Sequence, residues 1–455
     1  MGGGHSSYPM ITGKKKMGLA MATVLVLVNM VGTGIFLLPV SMASVGSISI
    51  IGWVVAGIGA AAIGLMFAML GAIKPEAGGP YAYAREALGP YLGFQTNYIY
   101  WSANLVGNIA VATTVTGYFI ELIPALGGST RAAVFTIGIV WVATAINLAG
   151  PRWVGFFTGW GTVLAMIPLL AIAFCGWIWF NPQTFWGSWN PHHESSWDAI
   201  STSAAFALWA FMGVESAAVA SDVIENPKRN VPLATMIGLV IAGLLYVSTC
   251  TVLMGIMPAE ELAKSSAPFA DAAAKVIGPA GAVVIALCAI FKAGSSLVGW
   301  TLTISQSAAA AARDGLFPKI FSRLDARGIP RLNFLITGVL MSLIVVLTAS
   351  PSISEQFNEI IDMAIILTIL PYMYSGVAFL KIGNLAGTNR WHHYLVVGIV
   401  AVVSIYCLWV VAGSDANLTR SAMIILFASV PLYPIFARGL QDGAPGGDGG
   451  GTADK

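Results

Sequence analysis

Twelve apolar runs, each long enough to cross a bilayer as a helix, follow one another along this chain with short polar breaks between them. They lie near residues 17–39, 45–72, 92–120, 132–150, 155–180, 199–222, 233–257, 278–312, 333–349, 357–380, 394–412 and 420–437. A hydrocarbon core roughly 30 Å thick takes about 20 apolar residues in helical form. Within it every backbone N–H and C=O needs a partner from the chain itself, which leaves helices or closed barrels. The runs are far longer than the ~10 alternating residues of a barrel strand. The expected fold class is therefore all-α, a polytopic membrane protein with twelve transmembrane helices.

The charge content carries the same message. Only 9% of the residues are charged, where a soluble domain has about 25%. An ordinary soluble enzyme and a disordered chain are excluded. The net charge of +2 gives no basic balance for nucleic acid, so no nucleic-acid partner is expected. Membrane lipid is. Cys175, Cys250, Cys288 and Cys407 each sit inside an apolar run without CxxC or CxxH spacing and read as small buried hydrophobes. No metal or other cofactor is expected. Lys14, Lys15 and Lys16 precede the first run, but its length and the lack of an A-x-A site make it a retained helix rather than a signal peptide.

Lysine and arginine set the orientation. With the N-terminus inside and twelve alternating helices, seventeen of the 22 fall on the cytoplasmic side. Arg131, Lys264, Lys275 and Arg420 fall outside, and Lys292 lies within a span. Both termini are then cytoplasmic, in a plasma membrane, with a bacterial inner membrane as the expected location. Residues 1–16 form a cytoplasmic tail, and the Gly-rich segment 439–455 reads as disordered.

Two spans carry glycine at mid-depth. The first reads Asn29-Met30-Val31-Gly32-Thr33-Gly34, with Pro39 placed at its end. Either the helix unwinds there and its freed backbone groups line a cavity, suiting an anion such as a carboxylate, or the glycines allow close helix packing. The sixth reads Leu208-Trp209-Ala210-Phe211-Met212-Gly213-Val214-Glu215. A carboxylate at mid-membrane costs about 2.5–3.5 kcal/mol on insertion scales, so Glu215 is a functional residue, a structural ion pair or a permanently protonated acid. Interrupted helices five apart point to an inverted-repeat transporter.

Other polar side chains fall in register. Tyr100, Asn104 and Asn108 occupy one face of the third span, and Lys292, Ser296 and Trp300 one face of the eighth. The asparagines suit substrate contact and interhelical bonding equally. Lys292 either pairs with Asp362 of the tenth span, making both structural, or leaves Asp362 to face a cationic substrate. Trp209 and Trp300 can offer a ring face to an ammonium. Trp177, Trp179, Trp186, Trp189 and Trp391 read as interfacial anchors. His192, His193, His392 and His393 read as solvated loop residues. A cavity lined by amides, indoles and acids suits a small cation.

These segments resemble the amino acid–polyamine–organocation superfamily, specifically its basic amino acid/polyamine antiporters. NMVGTGIFLLP (29–39), GGPYAYAREALGPYLGFQTN (78–97), LWAFMGVESAAVASDVIENPKRNVP (208–232), GSSLVGW (294–300) and DGLFPKIF (314–321) carry the resemblance. SWNPHH (188–193) and ISIIGW (48–53) look most like antiporters that exchange putrescine and ornithine. The resemblance implies five helices (17–180), five inverted ones (198–383) and two more (393–438), in a chain that is often a homodimer. It implies exchange of a diamine for a basic amino acid by alternating access, with no enzymatic step. Asn29, Gly32, Thr33 and Gly34 would hold one end of the substrate. Ala103, Asn104, Asn108, Met212 and Trp300 would line the site, and Trp209 would stack on the ligand as a gate. Glu215 would be the protonatable or cation-sensing acid, and Tyr100 and Tyr372 would close the outer and inner sides. Asp362 and Lys292 are charged where the family pattern is neutral. Lys292 opens an alternative, a proton-coupled uptake carrier in which a lysine replaces a coupling cation. Lysine–cadaverine and arginine–agmatine exchange fit the same segments.

Overall fold

The computed structural model describes residues 16–436 apart from 33, 75–78, 351 and 387–389. Thr33 and the two tails therefore lie outside the described residues. The first run is a broken pair, α1 (Leu19–Met30) and α2 (Gly34–Val45), bent by 51°. It is followed by α3 (Ser49–Ile73), α4 (Pro80–Leu88), α5 (Pro90–Leu122), α6 (Ser129–Ala149) and α7 (Pro151–Leu170). A π-helical turn and a 3-10 turn carry α7 on to Trp179. The short α8 (Pro182–Gly187) leads to a second broken pair, α9 (Ser196–Phe211) and α10 (Ser216–Val219). Then come α11 (Pro227–Ile256), the four-residue α12 (Ala259–Leu262), α13 (Pro268–Ile277), α14 (Pro279–Arg313) and α15 (Arg331–Leu347). The last are α16 (Ile353–Ala386), α17 (Arg390–Ala412) and α18 (Ala416–Phe436).

Ten helical stretches are long and apolar enough to span a membrane, the α1–α2 pair makes an eleventh, and α15 is a shorter apolar helix. All twelve expected runs are thus helical. Two expectations need correction. Pro39 does not end the first helix, because α2 passes through it to Val45. The proline removes one backbone hydrogen bond, and the fully buried Phe36, Leu37, Leu38 and Val40 hold the helix across it.

The second correction concerns α4 and α13, which the apolar runs leave as connections. Each opens on a proline and stops at a glycine in the left-handed region, Gly89 (φ 97°) and Gly278 (φ 82°). A proline then starts the next long helix. The segments match in sequence: Pro80-Tyr81-Ala82-Tyr83-Ala84 with Gly89-Pro90, and Pro268-Phe269-Ala270-Asp271-Ala272 with Gly278-Pro279. They are too short to register as spans, and α13 buries its Phe269 face while leaving polar residues outside.

The long α5 is the central pillar. Its residues from Gly93 to Tyr118 are almost all buried, and it packs against α14 and α16. At the opposite extreme α18 buries only Ala422 and Ser429. One extended contact joins the two broken pairs: Met17 N–H donates to Val223 O and Glu225 N–H to Met17 O, both at 2.9 Å.

Candidate functional site

Both breaks follow from local backbone chemistry. Val31 (φ −72°, ψ 58°) lies in the inverse γ-turn region, and Gly32 N–H donates to Met30 O at 2.6 Å. The helix then restarts at Gly34. In the second pair Met212 is extended and Gly213 takes φ +99°, before the chain turns again at Ser216. A positive φ of that size favours glycine. The space is tight as well, since a Cβ on Gly213 would lie 3.1 Å from Asn29 O. The two breaks therefore touch, Asn29 against Gly213.

Glu215 hangs from this junction. Its Oε2 accepts the Gly213 N–H at 3.2 Å and the Tyr372 hydroxyl at 3.2 Å, and its Oε1 accepts the Tyr100 hydroxyl at 3.5 Å. The side chain is buried, and among the described residues no ion pair includes it. The structural ion pair is thereby excluded among those residues. Tyr100 of α5 and Tyr372 of α16 were expected at opposite ends of a path. They converge instead on one carboxylate, at one level of the bundle.

Two adjoining cavities share Asn29, Gly32 and Trp300. The smaller, about 40 Å³, is lined by Gly34, Ala103, Asn104, Asn108, Trp209 and Met212 among others. It has room for a few waters. The larger, about 380 Å³, extends toward the α1 side of the bundle and includes Tyr100, Glu215, Lys292, Ser296 and Trp300. Eleven of the predicted site residues are thus brought together here: Asn29, Gly32, Gly34, Ala103, Asn104, Asn108, Met212, Glu215, Tyr100, Trp209 and Trp300. Lys292 joins them, and Tyr372 does so through Glu215.

The asparagines divide their work. Asn104 Nδ2 bonds the Tyr100 carbonyl of its own helix at 2.7 Å, whereas Asn108 Nδ2 reaches Thr301 Oγ1 of α14 at 3.4 Å. Residue spacing alone does not single out Thr301 or Gly107. Gly107 sits between the two asparagines, and the Trp209 indole lies across it and Gly34. A Cβ at Gly34 would stand 2.7 Å from Trp209 Cδ1, and one at Gly107 2.6 Å from Cη2.

Asp362 does not join the site. It lines neither of these cavities, because ten residues separate it from Tyr372 on α16, about 15 Å along the helix. It lies instead within electrostatic reach of Asp415, in the turn between α17 and α18. Nor does it pair with Lys292, whose ammonium has no hydrogen-bond or ion-pair partner among the described residues although its side chain is 97% buried.

The two sides of the site differ. On the α2 side, Ser41 Oγ donates to Asn358 Oδ1 of α16. Tyr118 OH donates to Phe36 O at 2.8 Å, and the Phe36 and Phe269 rings pack at 5.0 Å. Ser265 donates to Asp271, yet burial still raises the Asp271 carboxyl above its usual range. On the α1 side, exposed Thr303 and Gln306 rim the large cavity. There Arg85 holds Asp314 at 2.6 Å and Tyr81 donates to the same carboxylate. Burial, then Asp314, pushes the Tyr81 hydroxyl up. Among the described residues no three His, Cys, Asp or Glu side chains stand together as a metal needs.

Comparison with known proteins gives the same architecture a kinship. The model of a family described as amino acid permease matches residues 17–432. The cadaverine/lysine antiporter of Escherichia coli K12 is 40% identical over 372 residues, 81% of this chain and 84% of that protein. The putrescine transporter PotE of the same organism is 38% identical over 425 residues, 92% of this chain and 95% of that protein. PotE of Haemophilus influenzae is 35% identical over 424 residues, covering 92% and 96%.

Proposed function

Because the chain belongs to the amino acid permease family, we propose that it exchanges a diamine for a basic amino acid across a membrane, putrescine and ornithine being the favoured pair. One observation carries the reading. Glu215 is buried beside two touching helix breaks, lines a 380 Å³ cavity, and has three hydrogen-bond donors but no cation among the described residues. A substrate ammonium supplies the missing charge. Indole faces at Trp209 and Trp300 suit its methylene chain and its ammonium ends. The names of the relatives support an amine or basic amino acid. They support lysine–cadaverine exchange as well as putrescine–ornithine.

In this reading residues 17–180 and 198–383 are inverted repeats, and the matching α4 and α13 segments favour that division. The distribution of lysine and arginine supports a cytoplasmic α1 side, and the organisms of the relatives suit a bacterial inner membrane. The protein is then inward-facing, with the large cavity open to the cytosol and the α2 side closed. Helices of the first, second, sixth and seventh spans rock against those of the third, fourth, eighth and ninth. The small cavity is too tight for a diamine while Trp209 lies across Gly107, so movement of the indole accompanies loading. Substrate drives the rocking through its higher affinity for the closed state. The exposed apolar faces of α17 and α18 suit lipid or a second copy.

The test is radiolabelled putrescine uptake into proteoliposomes, empty or preloaded with ornithine, lysine, arginine or putrescine. Uptake confined to preloaded vesicles supports exchange, and the best preload names the pair. Uptake into empty vesicles under an imposed pH gradient supports the second reading, a proton-coupled carrier. That reading is favoured by Lys292, which is buried and has no ion-pair partner among the described residues.

A further inference from the structure

Asn108 of α5 lines the small cavity, and its carboxamide is held from behind by another helix. Its Nδ2 donates to Thr301 Oγ1 of α14 at 3.4 Å. Both side chains are buried. Thr301 lines neither cavity, although its neighbour Trp300 lines both. A threonine in a helix can give its hydroxyl proton to the carbonyl one turn back, as Thr303 does to Gly299 O at 3.1 Å. Its oxygen lone pairs stay free to accept. Asn108 Oδ1 accepts no hydrogen bond from the described residues, yet it is not sealed away as a buried, unpaired atom. It remains reachable from the cavity. A carboxamide has a donor end and an acceptor end, so anchoring the donor on Thr301 presents the acceptor to a ligand. Asn104 needs no such support, because its Nδ2 is tied to the Tyr100 carbonyl of its own helix.

We propose that Thr301 is a positioning residue: it turns the Asn108 oxygen into the small cavity, where that oxygen accepts a hydrogen bond from a substrate ammonium. The proposal rests on the exchange reading above and adds the device that sets the polarity of one wall. The break of the first span, through Asn29, Gly32 and Gly34, lines the same small cavity and suits a carboxylate. A basic amino acid with its carboxylate at the break presents its side-chain ammonium to Asn108. A diamine presents either end. Without the Thr301 hydroxyl the carboxamide is free to turn, and its NH2 group then meets the ammonium, donor against donor. The methyl group of Thr301 plays no part in this, whereas the hydroxyl is essential.

The experiment is calorimetric titration of the purified full-length protein with putrescine and with ornithine. The variants are Thr301→Val, Thr301→Ala, Thr301→Ser, Asn108→Ala and the double variant Thr301→Val/Asn108→Ala. Losing the hydroxyl in Thr301→Val weakens both ligands about two- to tenfold. Thr301→Ala does the same, and it carries the test with Thr301→Ser if the valine variant fails to fold. Thr301→Ser restores most of the affinity. The double variant binds no more weakly than Asn108→Ala alone, because Thr301 acts only through Asn108. Additive losses in the double variant, wild-type affinity in Thr301→Val or Thr301→Ala, or a serine variant as weak as the alanine one overturns the positioning role and leaves the exchange reading intact. Wild-type protein that binds neither putrescine nor ornithine overturns the exchange reading and the positioning role with it.

Discussion

The six-membered edge of the Trp209 indole lies against bare backbone at Gly107, where a Cβ would stand 2.6 Å from Cη2. The opposite edge meets Gly34 in the same way. Gly107→Ala therefore displaces the indole and slows exchange in proteoliposomes about tenfold. A methyl group forced into a packed site costs about 1–3 kcal/mol. Gly138→Ala, where nothing lies within 4 Å, leaves the rate unchanged. Equal rates in the two variants would remove Trp209 from the transport cycle.

Glu215→Gln keeps the shape of the junction and removes its charge. Breaking a buried charged contact costs about 2–5 kcal/mol, so exchange falls by at least about 30-fold. The measurement is the exchange rate across the working pH range. Near wild-type exchange at every pH would sink the role assigned to this acid.

The two tyrosine donors to Glu215 are not equivalent. Tyr372 OH stands 3.2 Å from Oε2 and Tyr100 OH 3.5 Å from Oε1. A hydrogen bond to a charged group contributes about 1.5–3 kcal/mol, less as it lengthens. Tyr372→Phe thus lowers putrescine affinity more than Tyr100→Phe. Calorimetry on the two variants checks the order.

Asn358→Ala removes the acceptor of Ser41 Oγ on the α2 side. Losing one such bond, about 0.5–1.5 kcal/mol, shifts the carrier toward the opposite opening by roughly two- to tenfold. A cysteine placed at Val111, in a background lacking Cys175, Cys250, Cys288 and Cys407, reports the shift. Its labelling by an impermeant thiol reagent from outside becomes faster. No change in labelling would mean that the bond does not hold that side shut.

Much of this was legible in the residues. The twelve helices follow from the length of the apolar runs, and both breaks from glycine beside polar residues at mid-depth. The Lys292–Ser296–Trp300 face follows from helical spacing, and the structure puts all three on one cavity wall. Other features depend on depth and partner, which spacing does not encode. Asp362 shares a helix with Tyr372 yet lies about three turns away, so its charge says nothing of the site. Tyr100 and Tyr372 are far apart in sequence, and only the packing of α5 on α16 brings their hydroxyls to one acid. Gly107 did leave a trace, a glycine framed by two in-span asparagines, but its reason is the indole of another helix. The repeated Pro-aromatic-Ala segments of α4 and α13 are readable too, but each is too short to stand out as a long apolar run.

The backbone pairing of Met17 with Val223 and Glu225 joins α1 to the segment after α10 at one end, while Asn29 meets Gly213 at the other. The half-helices α1 and α10 are thus pinned together top and bottom, built as a single lever rather than as two independent arms. The pins at the lower end are amide hydrogen bonds, so they survive nearly any exchange of side chain. A drifting sequence can retune what the lever grips without loosening its hinge. Proline, which lacks the amide hydrogen, is the residue that positions 17 and 225 cannot accept.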